Sequence, residues 1–96
     1  MRNPFRIFVT EEFEKRYNEL PLQIQKKAEK QESLFRQNPF YPSLHTEKLS
    51  PHEKEVWSFR IDKDYRIAFR FYGPGKVMLL TVGTHDWIYK ILQRYF

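Results

Sequence analysis

A chain of 96 residues can form one domain with a modest core, and its 41% hydrophobic and 30% charged residues are typical of a globular rather than a disordered protein. The excess of 17 Lys and Arg over 12 Asp and Glu gives a net charge of +5, which suits either a polyanionic partner or simple solubility. The absence of Cys excludes disulfides and thiolate zinc sites, and no apolar run is long enough for a signal peptide or a membrane helix. The spacing of His45, His52 and His85 fits no metal motif. We therefore expect a single cytoplasmic domain over residues 1–96, with no metal, no cofactor and no membrane partner.

The N-terminal part of the chain predicts one strand followed by two helices. Residues 5–9 are expected to form a short strand, with Phe5, Ile7 and Val9 on one face and Arg6 and Phe8 on the other. Thr10 can cap the next helix, in which apolar residues recur at helical spacing. These residues are Phe13, Tyr17 and Leu20. Pro21 breaks this helix and can serve as the first residue of a second helix, which ends before Asn38-Pro39. The two helices are expected to form an antiparallel hairpin.

The C-terminal half predicts a strand meander. The segment Leu44–Glu55 leaves two interpretations open, a strand followed by a loop or an irregular course throughout. Alternation then predicts strands at residues 56–61 and 65–72, separated by a tight turn. A third strand at residues 76–82 is apolar on both faces, as expected for a central strand, and Gly83 is expected to end it.

A short helix is predicted after the last strand. Asp86 can cap it, and four residues of the helix are expected to face inward. They are Ile88, Ile91, Leu92 and Tyr95. The order of elements predicts an α+β fold, in which two N-terminal helices pack on one face of a mostly antiparallel sheet of about four strands, followed by the short C-terminal helix.

Alternation along the strands assigns three arginines to one face of the sheet. The apolar residues of the first two meander strands must face the helices. They are Trp57, Phe59, Ile61, Tyr65, Ile67 and Phe69. Arg60, Arg66 and Arg70 then point to the opposite, open face, where guanidinium groups are suited to bind phosphate. The alternative is a solvated face with paired charges. On either interpretation, replacing Arg66 is expected to leave the fold intact.

The segment from Gly83 to Tyr89 places His85 and Tyr89 at a strand-to-helix corner, where reactive groups are common. Histidine is the natural acid or base near neutral pH, but His85 could equally start the helix, and Tyr89 could be a core aromatic residue. His45 is a candidate for lining the same site, although a surface position suits it as well. Glu47 is the acid nearest to it and could act as a base. His52 is expected to be a loop residue, and Glu53 and Glu55 are expected to be ordinary solvated charges.

An ordered set of segments resembles toxins of the RelE/ParE superfamily. The segments are residues 44–49 (LHTEKL), 56–61 (VWSFRI), 64–69 (DYRIAF), 79–85 (LLTVGTH) and 88–89 (IY). The opening strand, the first helix and the Asn38-Pro39 stop also fit, so the resemblance covers nearly the whole chain. It implies a RelE-like fold and the toxin of a toxin–antitoxin system.

The resemblance also implies roles for individual residues. RelE-like members cut messenger RNA, usually on the ribosome, by driving the 2′-OH onto the adjacent phosphate. Arg66 matches an arginine that contacts the scissile phosphate, and Arg60 lies where members often have Arg, Lys or His. His85 matches a position that holds His or Arg, and Tyr89 resembles the family's late catalytic Tyr. Glu47 is the nearest counterpart of the glutamate that some members use as a base.

The chemistry of the expected reaction agrees with these residue types. Attack by a 2′-OH needs a base, an acid and positive charge on the phosphorane. Arg60 and Arg66 can supply that charge, and His85 can be the acid or the base. Tyr89 can stack on a nucleobase or position the hydroxyl. The further candidates for substrate binding are His45, Glu47 and Arg70.

Two other functions remain open at the level of sequence. ParE-like members poison DNA gyrase instead of cutting RNA, and a catalytically idle module that binds only an antitoxin is also compatible with the chain. On the ribonuclease interpretation, the expected partners are a cognate antitoxin and messenger RNA, with no metal or cofactor.

Overall fold

The computed structural model describes residues 6–49 and 55–95, with side chains described up to residue 91. Within these ranges the chain forms three α-helices, one short 3-10 helix and five strands. The helices are α1 (Glu11–Asn18), α2 (Leu22–Gln37) and α3 (His85–Tyr95), and the 3-10 helix is Pro42–Leu44. The strands are β1 (Arg6–Val9), β2 (Glu47–Lys48), β3 (Trp57–Arg60), β4 (Tyr65–Phe71) and β5 (Lys76–Thr84).

The five strands form one sheet in the order β1-β5-β4-β3-β2. β1 runs parallel to β5, whereas the other neighbouring strands are antiparallel. The predicted α+β fold is therefore confirmed, and the short strand β2 adds a fifth member to the predicted sheet. β2 comes from the segment whose course the sequence left open. Residues 50–54, which include His52 and Glu53, lie outside the described ranges, as does Phe5.

The main core lies between the sheet and the helices α1 and α2. Phe35 of α2 is fully buried against the rings of Phe59 and Phe69, whose centroids lie 4.5 and 4.9 Å away. Phe13 of α1 joins the same cluster. The core face of the meander is the one predicted, because Phe59, Ile67 and Phe69 are buried under the helices.

A second, smaller apolar cluster covers part of the opposite face. Ile88 of α3 packs there with Val56 and Ala68, and all three side chains are fully buried. The inward position predicted for Ile88 is thus confirmed, while the side chains of Leu92 and Tyr95 lie outside the described set. The face expected to be open is therefore closed in part by α3.

The start of α1 and the end of α2 agree with the sequence, whereas α2 begins at Leu22, one residue after the predicted Pro21, and the start of α3 also differs. Thr10 caps α1, since its side chain accepts a hydrogen bond of 2.9 Å from the backbone N–H of Phe13. At α3 the cap is Thr84, whose hydroxyl accepts from the N–H of Trp87 at 3.2 Å, and Asp86 lies within the first turn. The prediction of an Asp86 cap was therefore wrong. Gly83 does not end β5 either, because the strand continues through Thr84.

Among the described residues, no helix is both long enough and apolar enough to cross a bilayer.

Candidate active site

Arg66 lies at the centre of the sheet face that carries α3. It pairs with Arg60 of β3 and with Gly83 of β5, so the register places both arginines side by side. The side was predicted correctly, but the exposure was not, because Arg66 is only 6% exposed. The expectation of a solvent-exposed arginine was wrong since α3 and the segment around β2 cover this part of the face.

The buried guanidinium of Arg66 is held by three hydrogen bonds. Its Nε donates to the hydroxyl of Ser58 at 2.6 Å, and its Nη2 donates to the carbonyls of His45 at 2.6 Å and of Ser58 at 3.1 Å. Burial lowers the pKa of the Arg66 guanidinium, an effect that nearby Glu47 opposes. An arginine nevertheless stays charged throughout the physiological pH range. The fold therefore keeps a fixed positive charge beneath this face.

His45 reaches Arg66 through its backbone. The residue adopts the left-handed conformation, with φ 45° and ψ 48°, directly after the 3-10 helix. This conformation turns its carbonyl toward Arg66, while the side chain is exposed. The residue type indicates this conformation only weakly, because His adopts it more often than most residues but far less readily than Gly. Binding of substrate by the imidazole stays a prediction.

Strand β2 brings Glu47 into the site. Glu47 pairs with Ser58, so its side chain shares a face with Arg66. Its Oε1 lies 3.9 Å from Nη2 of Arg66 and accepts a hydrogen bond of 2.7 Å from the hydroxyl of Tyr89. Burial, reinforced by the hydrogen bond to Glu47, raises the pKa of Tyr89. Tyr89 is therefore neutral near pH 7 and serves as a donor to the carboxylate.

His85 and Tyr89 form one aromatic unit at the start of α3. They are four residues apart and lie on one face of the helix, with ring centroids 4.6 Å apart. The backbone N–H of His85 donates to the carbonyl of Asp64 at 2.9 Å, which ties the helix start to the β3–β4 turn. The imidazole Nδ1 lies 3.5 Å from the carboxylate of Asp86. His85 is exposed and accessible to a ligand.

An open cleft of about 750 Å³ lies beside these residues. Its walls are the β3–β4 turn and the β5–α3 corner. The residues that line it are Arg60, Lys63, Asp64, Tyr65, Thr84, His85 and Asp86. The volume is in the range of small-ligand sites. Arg60 and His85 thus line the cleft directly, whereas Arg66, Glu47 and Tyr89 are not among its lining residues.

The structure separates Arg70 from the other candidates. Arg70 is exposed and pairs with Met78 near the far end of β4, four residues from Arg66, or about 13 Å along the strand. The remaining candidates come together in one region. They are Arg60, Arg66, His85, Tyr89, Glu47 and the backbone of His45.

Two supporting residues escaped the sequence analysis. Ser58 provides both its hydroxyl and its carbonyl to Arg66. Gln31 is buried on the core side of α2, where its Nε2 donates to the carbonyls of Ser43 at 3.1 Å and Arg60 at 2.9 Å. Gln31 thereby ties together two segments that border the site. A glutamine on an otherwise apolar helical stripe was the available signal.

No group of three or more His, Asp or Glu side chains within residues 6–49 and 55–91 is arranged to hold a metal ion.

Comparison with known proteins identifies the family of this chain. A family model described as a ParE-like toxin domain matches residues 22–86, which is more than half of the chain. The chain belongs to the ParE-like toxin domain family. The resemblance to RelE/ParE-superfamily toxins found in the sequence is thereby confirmed. No curated protein matches the sequence of this toxin domain.

Solved toxin structures share its fold at low sequence identity. A YoeB/ParE toxin from Agrobacterium tumefaciens is 19% identical with a TM-score of 0.70, and the match covers 84% of this chain and 99% of that one. A RelE–RelB complex from the archaeon Pyrococcus horikoshii OT3 gives 14% identity, a TM-score of 0.69 and coverage of 84% and 94%. A DinJ–YafQ complex from E. coli gives 15% identity, a TM-score of 0.72 and coverage of 88% and 98%. The agreement with these neighbours is one of fold.

The burial of Arg66 predicts a stability cost that an exposed arginine would not have. Arg66→Ala should lower the free energy of unfolding by roughly 2 to 4 kcal/mol, because the carbonyls of His45 and Ser58 lose their donor and an unpaired buried polar group costs about 1 to 3 kcal/mol. Arg70→Ala on the same strand is the matched control and should stay within about 0.5 kcal/mol of the wild type. Urea unfolding measures both, and equal stabilities would refute the structural role of Arg66.

The backbone role of His45 predicts an unusual tolerance. His45→Gly should keep stability within about 0.5 kcal/mol, because Gly adopts the left-handed conformation freely and retains the carbonyl. His45→Val should lose about 1 to 2 kcal/mol or more, since a β-branched residue is strained there. Urea unfolding and a growth assay compare the two variants. Lost toxicity in a His45→Gly protein of normal stability would show that the imidazole itself has a function.

Proposed function

We propose that this toxin domain is an endoribonuclease that cleaves messenger RNA by attack of a 2′-OH on the adjacent phosphate. The observation that carries the proposal is the chain of contacts from the Arg66 guanidinium to Glu47 and from Glu47 to Tyr89, beside the exposed His85. These contacts bring a carboxylate and a fixed positive charge together next to His85, which lines the open cleft with Arg60. These are the groups that such a transfer needs.

Each group has a distinct task in the proposed reaction. The Glu47 carboxylate accepts the proton of the 2′-OH, whose oxygen then bonds to the phosphorus. The bond to the 5′-oxygen breaks, and protonated His85 donates a proton to that leaving oxygen. The products are a 2′,3′-cyclic phosphate and a 5′-hydroxyl. The reaction requires no oxidant or other co-reactant.

The arginines act on the charge that develops at phosphorus. Arg60 lines the cleft and is in a position to contact phosphate oxygens. Arg66 stabilises the same charge from within the fold, where its field is less screened by water. Tyr89 remains protonated because its pKa is raised, so it holds the Glu47 carboxylate in place and does not compete as a base.

The partners follow from the family and from charge. Structural neighbours include a RelE–RelB complex and a DinJ–YafQ toxin–antitoxin complex, and one is a YoeB–YefM complex from Staphylococcus aureus. We infer that this chain likewise has a cognate antitoxin, whose acidic residues would complement the net charge of +5. The proposed target is messenger RNA on the ribosome, which makes the cytoplasm the site of action.

The proposed chemistry predicts slower cleavage when Glu47 or His85 is replaced and an unchanged rate when the far end of β4 is altered. Glu47→Gln and His85→Gln should each slow cleavage on the order of a hundredfold, equivalent to about 3 kcal/mol of barrier, because neither variant can transfer the proton. Arg70→Ala, which is outside the site, should retain the wild-type rate. Primer extension on messenger RNA after induced expression measures these effects.

The same experiment separates the competing functions. Specific cleavages in translated frames, lost in Glu47→Gln and His85→Gln, support the ribonuclease. Intact messenger RNA accompanied by DNA double-strand breaks would show that the chain is a gyrase poison instead. If RNA and DNA both stay intact and growth is unimpaired, the remaining interpretation is that the chain only binds an antitoxin.

The inferred antitoxin predicts the behaviour of the native operon. Expression of this chain alone should arrest growth, and co-expression with its operon neighbour should restore growth and yield a complex stable to size-exclusion chromatography. The ionic part of the complex should weaken at 1 M salt, because screening shortens the range of charge interactions to about 3 Å. Recovery of this chain alone from the intact operon would contradict the inference.

A further inference from the structure

Strand β5 extends beyond its parallel neighbour β1, and side chains of the following helix take the place of the missing strand. β1 pairs with β5 only as far as Val9 and Leu79. Beyond that point, the Thr10 hydroxyl donates to the carbonyl of Leu80 at 2.7 Å, and Nε of Arg16 donates to the carbonyl of Val82 at 3.0 Å. Arg16 of α1 therefore contacts the strand directly before it leads into the active-site helix.

The same guanidinium lies on the ring of Trp87. The Cζ atom of Arg16 is 3.6 Å from the centroid of the indole, which is a close cation–π contact. Trp87 belongs to the first turn of α3, two residues after His85 and two before Tyr89. The contact joins α1, which packs on the core face, to α3, which packs on the opposite face.

Gly83 provides the room in which Trp87 packs against β5. A Cβ atom built on Gly83 would lie 2.6 Å from Cε3 and 3.2 Å from Cζ3 of the indole, which is too close for any side chain. Gly83 is therefore needed for close approach, and its φ is not positive. Trp87 is held between Gly83 on the strand and Arg16 on α1. We refer to these three residues as the indole clamp.

We propose that Arg16 is a positioning residue for the cleavage reaction, acting through the indole clamp to fix the start of α3. A helix is rigid over one turn, so fixing Trp87 also fixes the directions of His85 and Tyr89. Tyr89 contacts Glu47, and the backbone of His85 binds Asp64, so both would shift if the helix start moved. The inference rests on the proposed function for what is positioned, whereas the clamp itself is a feature of the fold.

Direct binding of substrate by Arg16 is the competing interpretation. Its Nε donates to the Val82 carbonyl, and the face of its guanidinium stacks on the indole of Trp87. Arg16 is also absent from the lining of the cleft, to which His85 belongs. The two interpretations differ in kinetics, because a substrate contact changes KM, whereas misplaced reacting groups lower kcat.

The test is a double-mutant cycle on cleavage of RNA by the full chain, using Arg16→Gln, Trp87→Leu and the double variant. Each single change should lower kcat roughly tenfold to a hundredfold with KM unchanged, since displacement of a reacting group by about 1 Å can cost a hundredfold. The double variant should be no worse than the worse single variant, because both break one contact. Arg16→Lys keeps the cation and should recover part of the loss. The matched control is Lys15→Gln, the exposed neighbour on α1, which should behave as the wild type.

Hydrogen–deuterium exchange supplies a readout that does not depend on cleavage. Arg16→Gln should speed exchange of the amides in the first turns of α3, while those of α2 keep their wild-type rates. If the wild-type protein cleaves no RNA but Arg16→Gln still speeds exchange in α3, the proposed function is refuted and the clamp is retained. Unchanged exchange, a raised KM at constant kcat, or additive losses in the cycle would each overturn the positioning role. Gly83→Ala is a second route to the same helix displacement, should Trp87→Leu fail to fold.

Discussion

A positive charge buried in the sheet is the constraint on which the site depends. Removing an arginine from water is costly unless acceptors surround it, and Arg66 meets this requirement with Ser58 and with the carbonyl of His45. To provide those acceptors, the chain leaves α2, turns through a 3-10 helix and adopts a left-handed residue. That path leads directly into β2 and places Glu47 beside the charge. The solvation of one side chain thus determines where the carboxylate of the site lies.

The residues of the candidate site come from parts of the chain that are far apart in the sequence. Glu47 is on an edge strand, Arg60 ends a strand beside the centre of the sheet, and His85 starts a helix. Gln31 and the backbone of Asp64 connect these segments by hydrogen bonds that involve no charged partner. Such bonds hold the segments in one geometry at any ionic strength, which a set of surface ion pairs would not do.

Much of the fold could be predicted from periodicity, because a strand with one buried face must alternate. The faces of β3 and β4 followed directly from that pattern, and the Thr10 cap followed from the type of residue that precedes the first helix. The two-residue strand β2 could not be found in this way, since it is too short to show a period. The α3 cap was misassigned because Thr84 and Asp86 are both good acceptors at neighbouring positions, and only the hydrogen bond decides between them.

The site was predictable as a set of residues but not as an arrangement. The sequence pointed to Arg66, Glu47, His85 and Tyr89, yet it implied an arginine open to solvent. Burial of Arg66 depends on where α3 and the segment before β2 pack, and this is a property of the tertiary structure. The contact between Glu47 and Tyr89 likewise joins residues 42 positions apart, which no local pattern encodes.

The short β1 strand has a consequence for how the molecule behaves in a crowded solution. An unpaired strand edge invites another chain to add to the sheet, and this is a common first step of aggregation. Along β5 the carbonyls of Leu80 and Val82, which lie beyond β1, are already bound by Thr10 and Arg16, and α1 packs against this strand. An incoming strand would have to displace a hydroxyl, a guanidinium and a helix before it could form its first hydrogen bond there. The longest strand of the sheet is thereby protected against edge-to-edge association without the help of a sixth strand.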